Sequence, residues 1–267
     1  MIVGVDAPPA AILRLLTFNC LWRGDARARL AVLARLLEAS DLDVVCLQEV
    51  VFLSRVALLG SLAPSFRHVA LRPFGIVAQG GLVILSRWPV VSRRYVVYRR
   101  RGRWRNAGRT DWLIRKGLLM VELDAGGRRL VLVNTHLLAN YDADWSVEND
   151  YARQEHEALG QLAEELDAVG QDRPLVVTGD INVPSGTWLF DDFLRRTGLR
   201  DAFDGGGEPT CRPAPPDGSP YDIDHVLVRG PVQASAELRF RDPVRLPDGR
   251  TVPLSDHVGV AAELRFD

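Results

Sequence analysis

The stretch PLVVTGDINVPSG, residues 174–186, decides the reading of this chain. Leu175 to Val177 is the short apolar run of a fully buried strand. It passes through Thr178-Gly179 and delivers Asp180 and Asn182 with only Ile181 between them. Alternate residues of an extended chain share a side, so the carboxylate and the amide point together. A buried strand that ends this way needs a reason.

The same kind of ending recurs. LLTF ends in Asn19 and VVCLQ in Glu49, while LVLV runs into Asn134 and His136. YDIDHVLV begins with Asp222, Asp224 and His225, and Ser255-Asp256-His257 stands just before the last strand. One such ending is an ordinary strand running into a turn, where Asn and Asp are common. Taken together, these residues have the composition of a hard-cation site with an acid–base pair. Carboxylate and amide oxygens bind Mg²⁺ or Mn²⁺. Histidine titrates near neutrality, and a carboxylate beside it fixes its tautomer and orientation.

The bulk numbers leave room for such a site. The chain has 267 residues, 47% of them hydrophobic and 25% charged, which is the composition of an ordinary soluble protein. A net charge of -1 supplies no global field toward nucleic acid or an anionic membrane, although a local patch can. The three cysteines, Cys20, Cys46 and Cys211, are odd in number and form no CxxC, which reads as free thiols in a reducing, cytoplasmic setting. The N-terminus has no basic n-region, and no stretch approaches the roughly 20 apolar residues of a membrane span.

Strands and amphipathic helices alternate along the chain. ARARLAVLARLLEAS, VFLSRVALLGSL, NDYARQEHEALGQLAEELDAV and TWLFDDFLRRTG read as helices. Between and after them come about ten or more strands, FRHVALR among them, which exceeds what one flat sheet holds comfortably. Two packed sheets with helices outside are expected. The Gly/Pro-rich stretch 204–220 reads as a surface loop, since strands of the same style continue after it. We expect a single domain over 1–267, with a flexible N-terminus at 1–10.

The motifs TFNCLW, CLQEV, GLVILSRWPV, VNTHL, TGDIN, DIDHVLV and LSDHVGV, in this order over residues 15–262, resemble those of the endonuclease/exonuclease/phosphatase (DNase I-like) superfamily. RKGLLMVEL and the segment 134–166 look most like its neutral sphingomyelinase-like members. The resemblance implies an α/β fold, a four-layer α/β/β/α sandwich of two packed mixed β-sheets with helices outside. It implies a Mg²⁺- or Mn²⁺-dependent phosphodiesterase that uses in-line attack of water.

It also implies roles. Glu49 holds the metal, with Asn19 as a second ligand or a bridge through water, and Asp256 close to the metal side. His257, paired with Asp224, acts on the attacking water or on a phosphoryl oxygen. Asp180 is the other proton-handling group. Asn182 donates its amide to the phosphate, and His136 contacts the phosphate or assists the leaving group. Lys116 can reach a phosphate or a lipid head group. Asp222 and His225 are expected to be structural, His225 by packing, and His68 and His156 to be structural or solvated.

The stretch 93–109, RRYVVYRRRGRWRNAGR, is the strongest local charge feature. Its arginines, Arg103 among them, suit bidentate pairing with phosphate. Tyr95, Tyr98 and Trp104 can stack on bases or enter a lipid interface. The plain alternative is a solvated hairpin whose charges protect a sheet edge. The expected partner is therefore a phosphate ester: a sphingomyelinase-like phospholipid first, then DNA or RNA for a nuclease, then an inositol or sugar phosphate for a phosphatase. A catalytically dead binding module is the competing class, and the filled chemical positions argue against it.

Overall fold

A computed structural model describes residues 12–100, 114–203, 207–212 and 220–266. Twelve strands build two six-stranded sheets. In chain order they are β1 (Ile12–Asn19), β2 (Val44–Gln48), β3 (His68–Ala70), β4 (Val83–Ser86), β5 (Val90–Val97) and β6 (Gly117–Ala125). Then follow β7 (Arg128–His136), β8 (Leu175–Asp180), β9 (Arg200–Asp201), β10 (Asp224–Arg229), β11 (Val232–Arg239) and β12 (Gly259–Phe266). The helices are α1 (Ala26–Glu38), α2 (Leu53–Leu62), α3 (Asp150–Asp167) and α4 (Trp188–Thr197). The first sheet runs β11-β12-β1-β2-β4-β3 and the second β9-β10-β8-β7-β6-β5.

Each sheet is mixed and is organised around one parallel pair at its centre. β1 pairs with β2 in parallel, joined by α1; β7 pairs with β8 in parallel, joined by α3. The other strand pairings in the two sheets are antiparallel. A parallel pair needs a long crossover, which the two helices supply. It also brings the carboxyl ends of both its strands to one edge. Asn19 ends β1, Glu49 follows β2, His136 ends β7 and Asp180 ends β8, so each crossover unit delivers two of the polar strand ends together.

Three apolar layers hold the sandwich. Leu13, Leu15, Cys46 and Ile84 of the first sheet meet Leu119, Leu132, Val176 and Val226 of the second. Alternate residues of the same strands face outward: Leu16, Phe18 and Val45 pack on α1 and α2. Val133, Leu175 and Val177 pack on α3 and α4. Strands covered on both faces need continuous apolar sequence, hence the unbroken run in β8. The expected α/β/β/α order is therefore found. FRHVALR forms a strand only over His68–Ala70.

The helix ends follow local chemistry. The Asn149 side chain caps α3 by accepting from the Tyr151 and Ala152 amides, and Gly198 closes α4 with φ of 68°. Among the described residues no helix is long and apolar enough to cross a membrane. Cys20, Cys46 and Cys211 are free thiols, and burial pushes the Cys46 thiol up to about 12.

The basic segment corrects the sequence reading. Tyr95 and Tyr98 are buried, not presented for stacking. The Tyr98 hydroxyl lies 2.6 Å from Thr135 Oγ1, and the Tyr95 hydroxyl donates to the Arg115 carbonyl at 2.8 Å. Arg94, Arg99 and Arg100 pair with Glu165, Glu164 and Glu157 of α3, so these arginines lie against an acidic helix face. Arg103 and Trp104 lie outside the described residues.

Candidate active site

The two sheets are tied together beneath the strand ends by buried amides. Gln48 Nε2 donates to Asn134 Oδ1 at 2.8 Å and to Thr17 Oγ1 at 2.9 Å. Asn134 Nδ2 donates across to the Leu47 carbonyl at 3.0 Å. Asn134 is thus a cross-sheet tie, although it shares a strand side with His136. Each buried amide satisfies partners on the opposite sheet, which fixes how the two edges meet.

Above that tie, Asp180 is the hub. Its Oδ2 accepts from Asn19 Nδ2 at 2.9 Å and lies 3.3 Å from His136 Nε2 and 3.8 Å from His257 Nε2. Its Oδ1 accepts from the backbone N–H of Asn182 at 3.1 Å. Burial alone raises its pKa, but the charges of His136 and His257 outweigh it, and the carboxyl is held well below the usual carboxylate range. Asp180 is an ionised acceptor at neutral pH.

His257 lies between two carboxylates. Nδ1 is 2.8 Å from Asp224 Oδ2, and Nε2 faces Asp180. Burial lowers its pKa, but Asp224 and Asp180 together raise it well above the ordinary value. The arrangement favours an imidazolium with one N–H fixed by Asp224. The 3.8 Å gap on the other side leaves the Nε2 proton short of a full hydrogen bond to Asp180.

His136 Nε2 is also 2.8 Å from Lys116 Nζ, which donates to the Leu137 carbonyl at 2.7 Å. Lys116 is therefore buried in the network rather than solvated. Asn182 adopts φ of 58°, rare for a residue with a side chain, and its amide donates to the same Leu137 carbonyl at 3.1 Å. Gly179 makes the approach of β8 to β7 possible: a Cβ there would stand 1.9 Å from the Thr135 carbonyl oxygen, at φ of 138°.

Glu49 also has a left-handed backbone, with φ of 62°, so the chain turns sharply after β2. Its Oε2 accepts from the Trp22 amide at 2.9 Å. Gly81 packs against it, and a Cβ there would lie 3.0 Å from Glu49 Cα. Arg29 fixes the surrounding loops by donating to the carbonyls of Cys20, Leu21, Arg23 and Leu254. Leu254 leads into Ser255-Asp256-His257, so one guanidinium spans the Glu49 and His257 sides. Asp256 is exposed, and its Oδ1 accepts from Ser255 Oγ at 3.1 Å.

The structure thus joins Asn19, His136, Asp180, Asn182, Asp224, His257 and Lys116 in one contact network. Glu49 stands at its edge through the β1–β2 pairing, and Asp256 through its neighbour His257. Arg103 lies outside the described residues. A half-buried carboxylate, an amide oxygen and an exposed carboxylate are the oxygen donors a hard divalent cation takes. Acceptor atoms of Asp180, Asp224 and His257 also lie within 4.8 Å of one another, a second composition that can hold a cation. There, however, each ring nitrogen of His257 faces a carboxylate, which is proton-sharing geometry. Sequence reasoning missed Gln48, Arg29 and Glu155, whose roles depend on contacts far along the chain.

The two sheets of the sandwich place an acid–histidine–acid array, Asp180–His257–Asp224, at one edge. The endonuclease/exonuclease/phosphatase family model matches residues 16–257, and the chain belongs to that family. A putative neutral sphingomyelinase of Drosophila melanogaster is 26% identical over 95% of this chain, which spans 61% of the fly protein. An inositol phosphosphingolipids phospholipase C of Saccharomyces cerevisiae is 26% identical over 62% of this chain and 35% of its own length. Among solved structures, a mutant of Staphylococcus aureus beta toxin with bound magnesium ions superposes with a TM-score of 0.75 at 17% identity, covering 94% of this chain and 98% of that one.

Proposed function

We propose that this site is a divalent-cation-dependent phosphodiesterase that acts on a phospholipid of the sphingomyelin type by in-line attack of water. The observation that carries the reading is His257 held between ionised Asp180 and the carboxyl of Asp224, beside Asn182. The names of the fly and yeast relatives support the lipid class, and the magnesium in the beta toxin structure supports Mg²⁺ over Mn²⁺.

Glu49, with Asn19 and Asp256, would hold the cation. When bound, it polarises a phosphoryl oxygen and offsets charge that develops in the transition state. Asp180, already ionised, takes a proton from the attacking water. His257 cannot be that base while it carries both ring protons. Its Nε2–H instead donates to a phosphoryl oxygen. Asp224 holds the ring in place. The second N–H of the Asn182 amide is available to another phosphoryl oxygen, since the first is engaged by the Leu137 carbonyl. Water supplies the new P–O bond and the bond to the leaving alcohol breaks; the proton that Asp180 took from the water passes to His136 Nε2, 3.3 Å away, and from there to the departing oxygen.

Three of the arginines at the start of the basic segment are paired with α3, which weakens the case for a nucleic-acid track there. The test is a panel with Mg²⁺: sphingomyelin, lysophospholipid, plasmid DNA, single-stranded RNA and an aryl phosphodiester. Turnover of sphingomyelin is expected. Nicking of DNA without lipid turnover would overturn the substrate class.

A further inference from the structure

His225 lies beside the proposed site, and no catalytic step uses it. It is buried on β10 opposite Gly179, one residue from Asp224. Its Nε2 is 3.0 Å from the Val183 carbonyl oxygen and its Nδ1 3.3 Å from Asp201 Oδ2. Both neighbours accept hydrogen bonds. A neutral imidazole has one N–H, so one nitrogen would turn a lone pair toward an oxygen lone pair in a buried place. Only the ring with both protons satisfies both contacts.

The partners are themselves fixed. Asp201 Oδ1 accepts from the Phe203 amide at 3.0 Å, and the Phe190 ring lies 4.4 Å from the imidazole. Val183 directly follows Asn182, whose left-handed backbone positions the side-chain amide proposed to meet the phosphate. Ile181 N donates to the Ile223 carbonyl at 2.8 Å, anchoring the other side of the turn. The Val183 carbonyl is the far anchor.

We infer that His225, as an imidazolium paired with Asp201, is a positioning residue that grips the Val183 carbonyl and so holds the Asn182 amide in register with the phosphate. This rests on the phosphate-binding role given to Asn182. The charges that face the ring are those of Asp201 on β9 and Asp222 just before β10. Burial alone lowers the pKa of His225, but the Asp201 bond and charge, the Val183 carbonyl and Asp222 outweigh it and raise it. The ring is not a general base, because Nε2 is spent on a backbone carbonyl.

The test is a double-mutant cycle in the whole protein with Mg²⁺ and an aryl phosphodiester, combined with ¹⁵N spectra of the histidine rings. Displacing a reacting contact by about 1 Å costs on the order of 10²-fold, so His225→Phe should lower kcat by roughly that factor. In an Asn182→Ala background the same change should cost less than about twofold, because the two act through one contact. Losses that multiply independently would overturn the positioning role. Asp201→Asn, which keeps the shape and removes the charge, should reproduce part of the His225→Phe loss, and a wild-type rate in it would overturn the ion pair. In wild-type protein at pH 6.5, where an ordinary histidine is half deprotonated, both His225 ring nitrogens should carry protons. A neutral-tautomer spectrum would refute the inference whether or not any substrate turns over. Absence of turnover on every phosphodiester would instead refute the proposed function, with the spectrum still deciding the charge state.

Discussion

Replacing Glu155 by glutamine should make this protein progressively more stable than the wild type as pH rises. Glu155 is fully buried on the inner face of α3, among Ala152, Ala158 and Leu159. Its Oε2 meets Asn140 Nδ2 at a long 3.4 Å, and its Oε1 makes no well-formed hydrogen bond, with only a weak contribution from Trp145. Burial, reinforced by the charge of Asp180, raises its pKa well above the ordinary 4.5, against smaller opposing contributions from Asn140 and Lys116. The folded carboxyl therefore keeps its proton where the unfolded chain has lost it. The stability it contributes is fully present below pH 4.5 and is lost as pH rises toward the folded pKa. In that window the loss is about 1.4 kcal/mol per pH unit, the value of one proton. Glutamine has nearly the same shape and does not titrate. Urea unfolding of both proteins from pH 4.5 to 8 measures the difference directly. The gap in favour of Glu155→Gln should widen at up to that slope and level off once the folded carboxyl ionises. A pH-independent gap would show that Glu155 ionises in the folded protein as it does in water, and the reasoning would fail.

Two further outcomes follow from the geometry. Gly179→Ala should destabilise the protein by about 3 kcal/mol or more, since the new methyl meets the Thr135 carbonyl at 1.9 Å in an unfavourable backbone region; a melting temperature near wild type would contradict the β7–β8 approach. Glu49→Gln should weaken Mg²⁺ binding in calorimetry by on the order of tenfold or more while far-UV circular dichroism stays unchanged, because one charged oxygen donor is lost from a half-buried site; unaltered affinity would move the cation elsewhere.

Much of this was legible in the sequence, for a physical reason. Strands buried on both faces are apolar throughout, so Asn19, Glu49, His136, Asp180 and Asp224 stand out as polar interruptions at their ends. The two helical crossovers then force those ends to one edge. What the sequence did not disclose depends on partners set by tertiary structure. Glu155 sits at a buried helical position, but its neighbours do not show whether it meets an arginine or nothing. The arginines of β5 and the residues after it look free until α3 is placed against them. His225 looks like packing beside Phe190 until the Val183 carbonyl and Asp201 are seen at its two nitrogens. Asn134 reads as a strand-end polar and Gln48 draws no notice, and only the second sheet makes the two a tie.

The most direct test of the central claim is hydrolysis of an aryl phosphodiester by wild-type protein and Asp180→Asn, each with Mg²⁺ and then with excess EDTA. Wild-type turnover should require the metal, and the amide variant, folded by circular dichroism, should be slower by about 10²–10⁴-fold, the typical contribution of a positioned proton acceptor. A folded Asp180→Asn protein that hydrolyses the ester at the wild-type rate would contradict the account.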